Sequence, residues 1–94
     1  MTVKLKKLDR RYTLFNRGYR VYLDFNVAGY GWNKFARAVA YCKKTYGRDL
    51  IIGQGRWIYN EEWRIGDMEK GNRYNRRIYF RSEATATLAL LAAS

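Results

Sequence analysis

The stretch Tyr19-Arg20-Val21-Tyr22-Leu23-Asp24-Phe25 alternates without a break: Tyr19, Val21, Leu23 and Phe25 fall on one side, Arg20, Tyr22 and Asp24 on the other. A period of two is the pattern of a half-buried β-strand, with one face on a core and one turned outward. Upstream, Arg11 to Phe15 is β-prone, and Asn16-Arg17-Gly18 supplies the Asn and Gly of a tight reversal, which predicts a hairpin. Residues 1–10 read as a flexible basic arm.

Downstream the period changes. Asn33 to Tyr46 places Trp32, Phe35, Ala36, Val39, Cys42 and Tyr46 in one stripe at about 100° per residue, which predicts an amphipathic helix capped by Asn33 and ended by Gly47. Its other side carries Lys34, Arg37, Tyr41, Lys44 and Arg48. Asp49 to Ile52 reads as a short buried strand and Gly53-Gln54-Gly55 as a turn or bulge. Arg56 to Ile65 alternates again, with Trp57, Tyr59, Trp63 and Ile65 on one side. Gly66 to Asn72 reverses the chain, and Arg73 to Arg81 returns with Tyr74, Ile78 and Phe80 against Arg77, Tyr79 and Arg81. Ser82 can cap a final helix over Ala84 to Ala93, with Glu83 at its positive end.

The order β-β-α-β-β-β-α predicts an α+β fold: an antiparallel or mixed sheet of four to five strands with both helices packed on one face. The chain has 94 residues and neither an internal repeat nor a low-complexity linker, so one domain is expected. Hydrophobic residues make up 48% of it and aromatics 17%, too much apolar surface for a disordered basic tail. A single cysteine, Cys42, and no histidine exclude an intrachain disulfide and the usual zinc sites. The polar, basic residues 1–20 lack the apolar core of a signal peptide, which points to a cytoplasmic rather than a secreted protein. The most apolar run, Ala84 to Ala93, is half the about 20 residues that a membrane span needs.

Charge is the strongest functional signal. Nineteen Lys and Arg against eight Asp and Glu give a net charge of +11, and residues 1–48 alone carry +10. From Phe25 to Arg48 there is no acid, so the helix cations lack the i to i+4 carboxylates that neutralise solvated helices. Lys34, Arg37, Lys44 and Arg48 therefore form one candidate polyanion surface, although such a run also suits a plain solvated face. The open face of the sheet is the other, where Arg20, Tyr22, Arg77, Tyr79 and Arg81 could stack bases and hold phosphates. Cross-strand Tyr and Arg packing alone would produce the same pattern.

The remaining motifs are weak. Gly29-Tyr30-Gly31 before a helix start, with Lys34 one turn on, could hold an anion but matches no nucleotide fingerprint. Arg17-Gly18-Tyr19 begins like the aromatic strand of RNA-recognition domains, but Arg20 and Val21 replace the small residue and the second aromatic. Asp67-Met68-Glu69-Lys70 lacks the spacing of a metal-nuclease motif and reads as a hairpin tip. Glu61 and Glu62 are adjacent on an expected strand, so they point to opposite faces and make no carboxylate pair. Cys42 lies on the apolar side of its helix and reads as a core residue. No cofactor is implied, and a non-enzymatic module is expected.

The ending Arg77-Ile78-Tyr79-Phe80-Arg81-Ser82-Glu83-Ala84-Thr85-Ala86-Thr87-Leu88-Ala89-Leu90 resembles the aromatic strand, acidic cap and Ala/Leu helix that close several small uncharacterised tailed-phage (cyanophage-like) proteins. The resemblance covers residues 77–90, implies a host-cytoplasmic location, and brings no biochemical role. Two partner classes remain open: nucleic acid, or a protein. In the second case the basic surface meets an acidic partner, or Leu88, Leu90 and Leu91 on the doubly apolar last helix bring copies together, as in phage assembly or host-factor binding.

Overall fold

The alternation at 21–26 is realised as an inner strand of a four-stranded antiparallel sheet. The computed structural model describes residues 3–11, 13–26, 31–66 and 75–93. Its elements run β1 (Lys4–Lys7), α1 (Thr13–Asn16), β2 (Val21–Asn26), α2 (Gly31–Tyr46), β3 (Leu50–Gly53), β4 (Arg56–Tyr59), β5 (Trp63–Ile65), β6 (Asn75–Phe80) and α3 (Glu83–Ala93). The main sheet has the order β1-β2-β6-β5, and β3 and β4 form a separate two-stranded ribbon. The fold is α+β.

The β2–β6 register sets Val21 opposite Phe80 and Leu23 opposite Ile78, so one sheet face presents a continuous apolar row. α2 and α3 cover it with Phe35, Ala38, Cys42, Ala86, Ala89 and Ala93, and Trp63 and Phe80 beneath them are fully buried. The helices run antiparallel. The Tyr46 phenol at the end of α2 lies beside Thr85 near the start of α3, and the Arg37 guanidinium donates to the Ala93 carbonyl at 3.4 Å. Alanine supplies most of the α3 contact, which lets the two helices sit close over the large rings of the sheet. Truncating a buried ring such as Trp63 typically costs ~3–5 kcal/mol, set against the ~5–15 kcal/mol that holds a domain together.

Several expectations need correction. Arg11 to Phe15 is not a strand: the Asp9 carboxylate accepts the Arg11 backbone N–H at 2.9 Å, bending the chain into the short helix α1. The expected arm is in part a strand, because Lys4–Lys7 pairs with β2 and the partly buried Leu5 packs against the core. The expected single strand Arg56 to Ile65 is broken at Asn60, and its two pieces join different sheets. The Asn60 side-chain oxygen accepts the Glu62 N–H at 2.8 Å and turns the chain there. The strand expected to be buried, β3, is exposed at Ile51 and Ile52. In α2 the inward small residue is Ala38 rather than Ala36, and the helix starts before Asn33. Residues 67–74, with the acidic motif and Tyr74, lie outside the described residues, as do Gly29 and Tyr30.

Other expectations agree with the geometry. Gly47 ends α2 with a φ of 88°, and Ser82 caps α3 by accepting the Thr85 N–H at 3.1 Å. Gln54 and Gly55 both take positive φ, 52° and 73°, as a two-residue hairpin turn requires.

Gly66 continues β5 on the second sheet face, its N–H bonded to the Arg77 carbonyl, and the Tyr79 ring lies where a side chain at 66 would project. Gly66→Ala should therefore lower stability by ~1–3 kcal/mol by displacing a buried ring. Gly53→Ala, facing open space, should stay within ~0.5 kcal/mol. Urea unfolding followed by circular dichroism checks both, and equal behaviour of the two variants would refute the ring contact.

Candidate anion-binding cleft

The face of the sheet away from α2 and α3 is only partly open. Leu8, Tyr19, Tyr22 and Tyr79 form a second buried cluster, with Leu14 and Phe15 of α1 packed on it. Tyr22 and Tyr79 are 3% and 7% exposed, their ring centroids 5.5 Å apart, so the expected stacking platform is instead a minor core. The cause is the 8–19 segment, which folds over these rings rather than pairing as a flat hairpin. Arg77 places its guanidinium 4.7 Å above the Tyr22 ring, within that same face. Arg20 sits 4.2 Å over Phe15 and donates to the Phe15 and Tyr19 carbonyls, so it fastens α1.

The other expected residues divide between two layers. Lys34, Arg37 and Lys44 belong to α2, where Lys34 is half-buried and the other two are exposed. Lys44 is in the last turn of the helix, where its charge complements the negative end of the dipole. Arg48 is exposed just beyond that end, and its carbonyl accepts from the Asn60 side chain at 3.2 Å. Arg81 is at the end of β6, with its backbone N–H on the Glu62 carbonyl and its guanidinium 3.7 Å from Glu61.

Arg81 opens into a cleft that unites residues distant in sequence. Arg17, Tyr19, Tyr59, Asn60, Glu61, Arg64 and Arg81 line a cavity of about 180 Å³ at the end of the sheet where β2 begins and β6 ends. Three arginines thus line the cleft with one carboxylate, Glu61, whose side chain is 84% exposed and lies 3.7 Å from Arg81. The Arg64 guanidinium lies 3.7 Å over the centroid of the Tyr59 ring, a cation–π contact. Burial pushes the Tyr19 phenol above its ordinary range, with the Arg64 and Arg17 charges pulling it down and the Asp49 and Glu61 charges pushing it up, so Tyr19 is neutral and donates to the Asn60 carbonyl at 2.6 Å.

Asn60 shapes the back of the cleft. Its side-chain Nδ2 donates to the Tyr46 and Arg48 carbonyls at 2.8 and 3.2 Å, and its backbone N–H donates to the Asp49 carbonyl at 2.8 Å. Trp63 Nε1 donates to the Gly47 carbonyl at 2.9 Å beside it. Chemically the cleft can bind an anionic group through forked donors. Its volume is below the about 300–1,000 Å³ of pockets that enclose a whole small molecule, which suits a phosphate or carboxylate projecting from something larger.

Arg17, Arg64 and Tyr59 went unrecognised as site residues. Arg64 was visible only as the polar side of an alternating run, and nothing local links position 17 to positions 59–64. Elsewhere, Cys42 is fully buried and its thiol is pushed up to about 12 by that burial, as befits a core residue. Among the described residues no group of three or more Asp, Glu, Cys or His side chains gathers, and no helix is long and apolar enough to cross a membrane.

No family model, curated protein or solved structure matches this chain. The reading of the cleft therefore rests on its own chemistry.

Replacing Asn60 by Ala removes the donor from the part-buried Tyr46 contact and the exposed Arg48 contact, together with the acceptor for the Glu62 N–H, and should lower stability by ~1–3 kcal/mol. The corresponding fall in melting temperature, about 4–8 °C per kcal/mol for a domain of this size, is measurable by calorimetry. An unchanged melting temperature would show that Asn60 does not organise this end of the sheet.

Proposed function

We propose that this domain is a non-enzymatic nucleic-acid-binding module that holds backbone phosphates in the Arg17, Arg64 and Arg81 cleft. The observation that carries the reading is one open cavity lined by Arg17, Arg64 and Arg81 and by a single carboxylate, Glu61. The net charge of +11 supports it by attracting any polyanion from a distance. Lys44 and Arg48, which pair with no carboxylate among the described residues, extend the cationic surface past the end of α2. The small cavity favours a repeating backbone over a free nucleotide, since it takes in one charged group and leaves the rest outside.

Three phosphate contacts on a single strand give a slope of log K against log salt of about −2, a loss of about 20-fold between 50 and 200 mM salt. Fluorescence anisotropy with labelled 20-mer DNA, matching RNA and polyglutamate should give this slope for the nucleic acids. Arg17→Gln with Arg81→Gln should make it shallower by about 1.4. A slope unmoved by that pair removes the cleft from the reading, and equal binding of polyglutamate points to an acidic protein partner.

A second reading, self-association, has its own observation: Leu88 and Leu91 on α3 are 51% and 65% exposed, on the side away from Ala86, Ala89 and Ala93. Leu90, expected on the same surface, packs inward against the core and is no part of it. Under this reading light scattering gives twice the monomer mass at 0.5 M salt, and Leu88→Ser with Leu91→Ser restores the monomer. A wild-type mass that stays monomeric at every concentration rules it out.

A further inference from the structure

The ribbon of β3 and β4 carries apolar side chains on both faces, and they are in solvent. Ile51, Ile52, Trp57 and Ile58 are 54%, 67%, 63% and 53% exposed. In the ribbon register Ile52 faces Trp57, and Ile51 faces Ile58 on the opposite side. A two-stranded hairpin is marginal in water by itself, so four apolar side chains displayed this way are not explained by the stability of the ribbon.

The ribbon is continuous with the cleft. Tyr59 lines the cleft at the ribbon's base, and Trp57, two residues earlier on the same strand, projects from the same face about 7 Å further out. Residues 50–59 contain Arg56 and no acid; in the flanks Arg48 and Arg64 stand with Asp49, Glu61 and Glu62, so the cationic surface is the arginine-lined cleft at the ribbon's base. The arginines of the cleft and the apolar side chains of the ribbon beside it together match an anionic partner bearing flat apolar groups. Ile51, Ile52 and Ile58 offer no donor or acceptor for reading the base edges of a duplex groove. A single strand needs only a ring to stack on, which Trp57 provides.

We infer that the ribbon is a base platform for single-stranded nucleic acid, with Trp57 stacking on a base of the strand whose phosphate occupies the cleft. This rests on the proposed function and adds to it the class of ligand and the residue that selects it.

The test titrates full-length protein with labelled single-stranded and duplex 20-mers, following Trp57→Ala, Trp57→Phe and the Arg17→Gln, Arg81→Gln pair, each first shown folded by circular dichroism. Trp57→Ala should weaken single-strand binding about 5- to 150-fold with the salt slope unchanged, because no cation is lost. Trp57→Phe should recover most of that loss, and duplex binding should not move. Wild-type affinity in Trp57→Ala, while the arginine pair still flattens the salt slope, overturns the platform and leaves the cleft standing. Absence of all oligonucleotide binding at 50 mM salt overturns both. Equal losses on single strand and duplex overturn the single-strand assignment. Loss of binding to phosphatidylserine vesicles in Trp57→Ala, with oligonucleotide affinity intact, makes the ribbon a lipid-surface element instead.

Discussion

An α-helix ends on carbonyls that have no partner within the helix, and here the end of α2 is closed by two side chains from another part of the chain. Asn60 takes the Tyr46 and Arg48 carbonyls and Trp63 takes that of Gly47. Among the described residues Asn60 makes five hydrogen bonds, including those from Tyr19 and Glu62 and the one to Asp49. Each is worth only ~0.5–1.5 kcal/mol net, yet together they bring the start of β2, the base of the ribbon, the start of β5 and the end of α2 to one place. The cleft is the solvent side of this junction. Its arginines come from positions 17, 64 and 81 because the elements bearing them are tied there.

This explains what was legible in the sequence. β2, α2, β6 and α3 declare themselves through periodicity, because each buries one face on one core: Val21, Leu23 and Phe25, or Phe35 and Cys42, follow the spacing of their element. The breaks do not. Asn60 interrupts an alternating run through side-chain bonds to a helix end twelve or more residues away, and Asp9 starts α1 through a bond two residues long. A period counts burial and is blind to such bonds. The cleft was unreadable for the same reason: sequence separation hides a site assembled by a junction.

The misplaced stacking face has a different cause. A domain this small has little interior, and it uses its aromatic rings to make one. Tyr22 and Tyr79 alternate with arginines, which looks like an exposed display, but Leu8, Leu14 and Phe15 close over them into a second core. Arg20 and Arg77 then serve that core by covering rings, at 4.2 and 4.7 Å from their centroids. Aromatic content in such a chain therefore says little about ligands until burial is known. Trp57 draws notice for the opposite reason, since among the described residues it is the ring left exposed.

The charge balance constrains the argument further. Among the described residues Asp9 pairs with Arg11 and Glu61 with Arg81, and both are surface contacts of small worth. The excess positive charge thus repels itself in the folded state, a penalty that compactness makes larger than in the open chain. Stability alone would favour more acids, especially between Phe25 and Arg48, where there are none. A polyanion bound to the folded chain would cancel part of that repulsion and shift the folding equilibrium toward the native state by mass action. The same deficit of acids that weakens the isolated domain would then strengthen the complex, so that fold and ligand each supply what the other lacks.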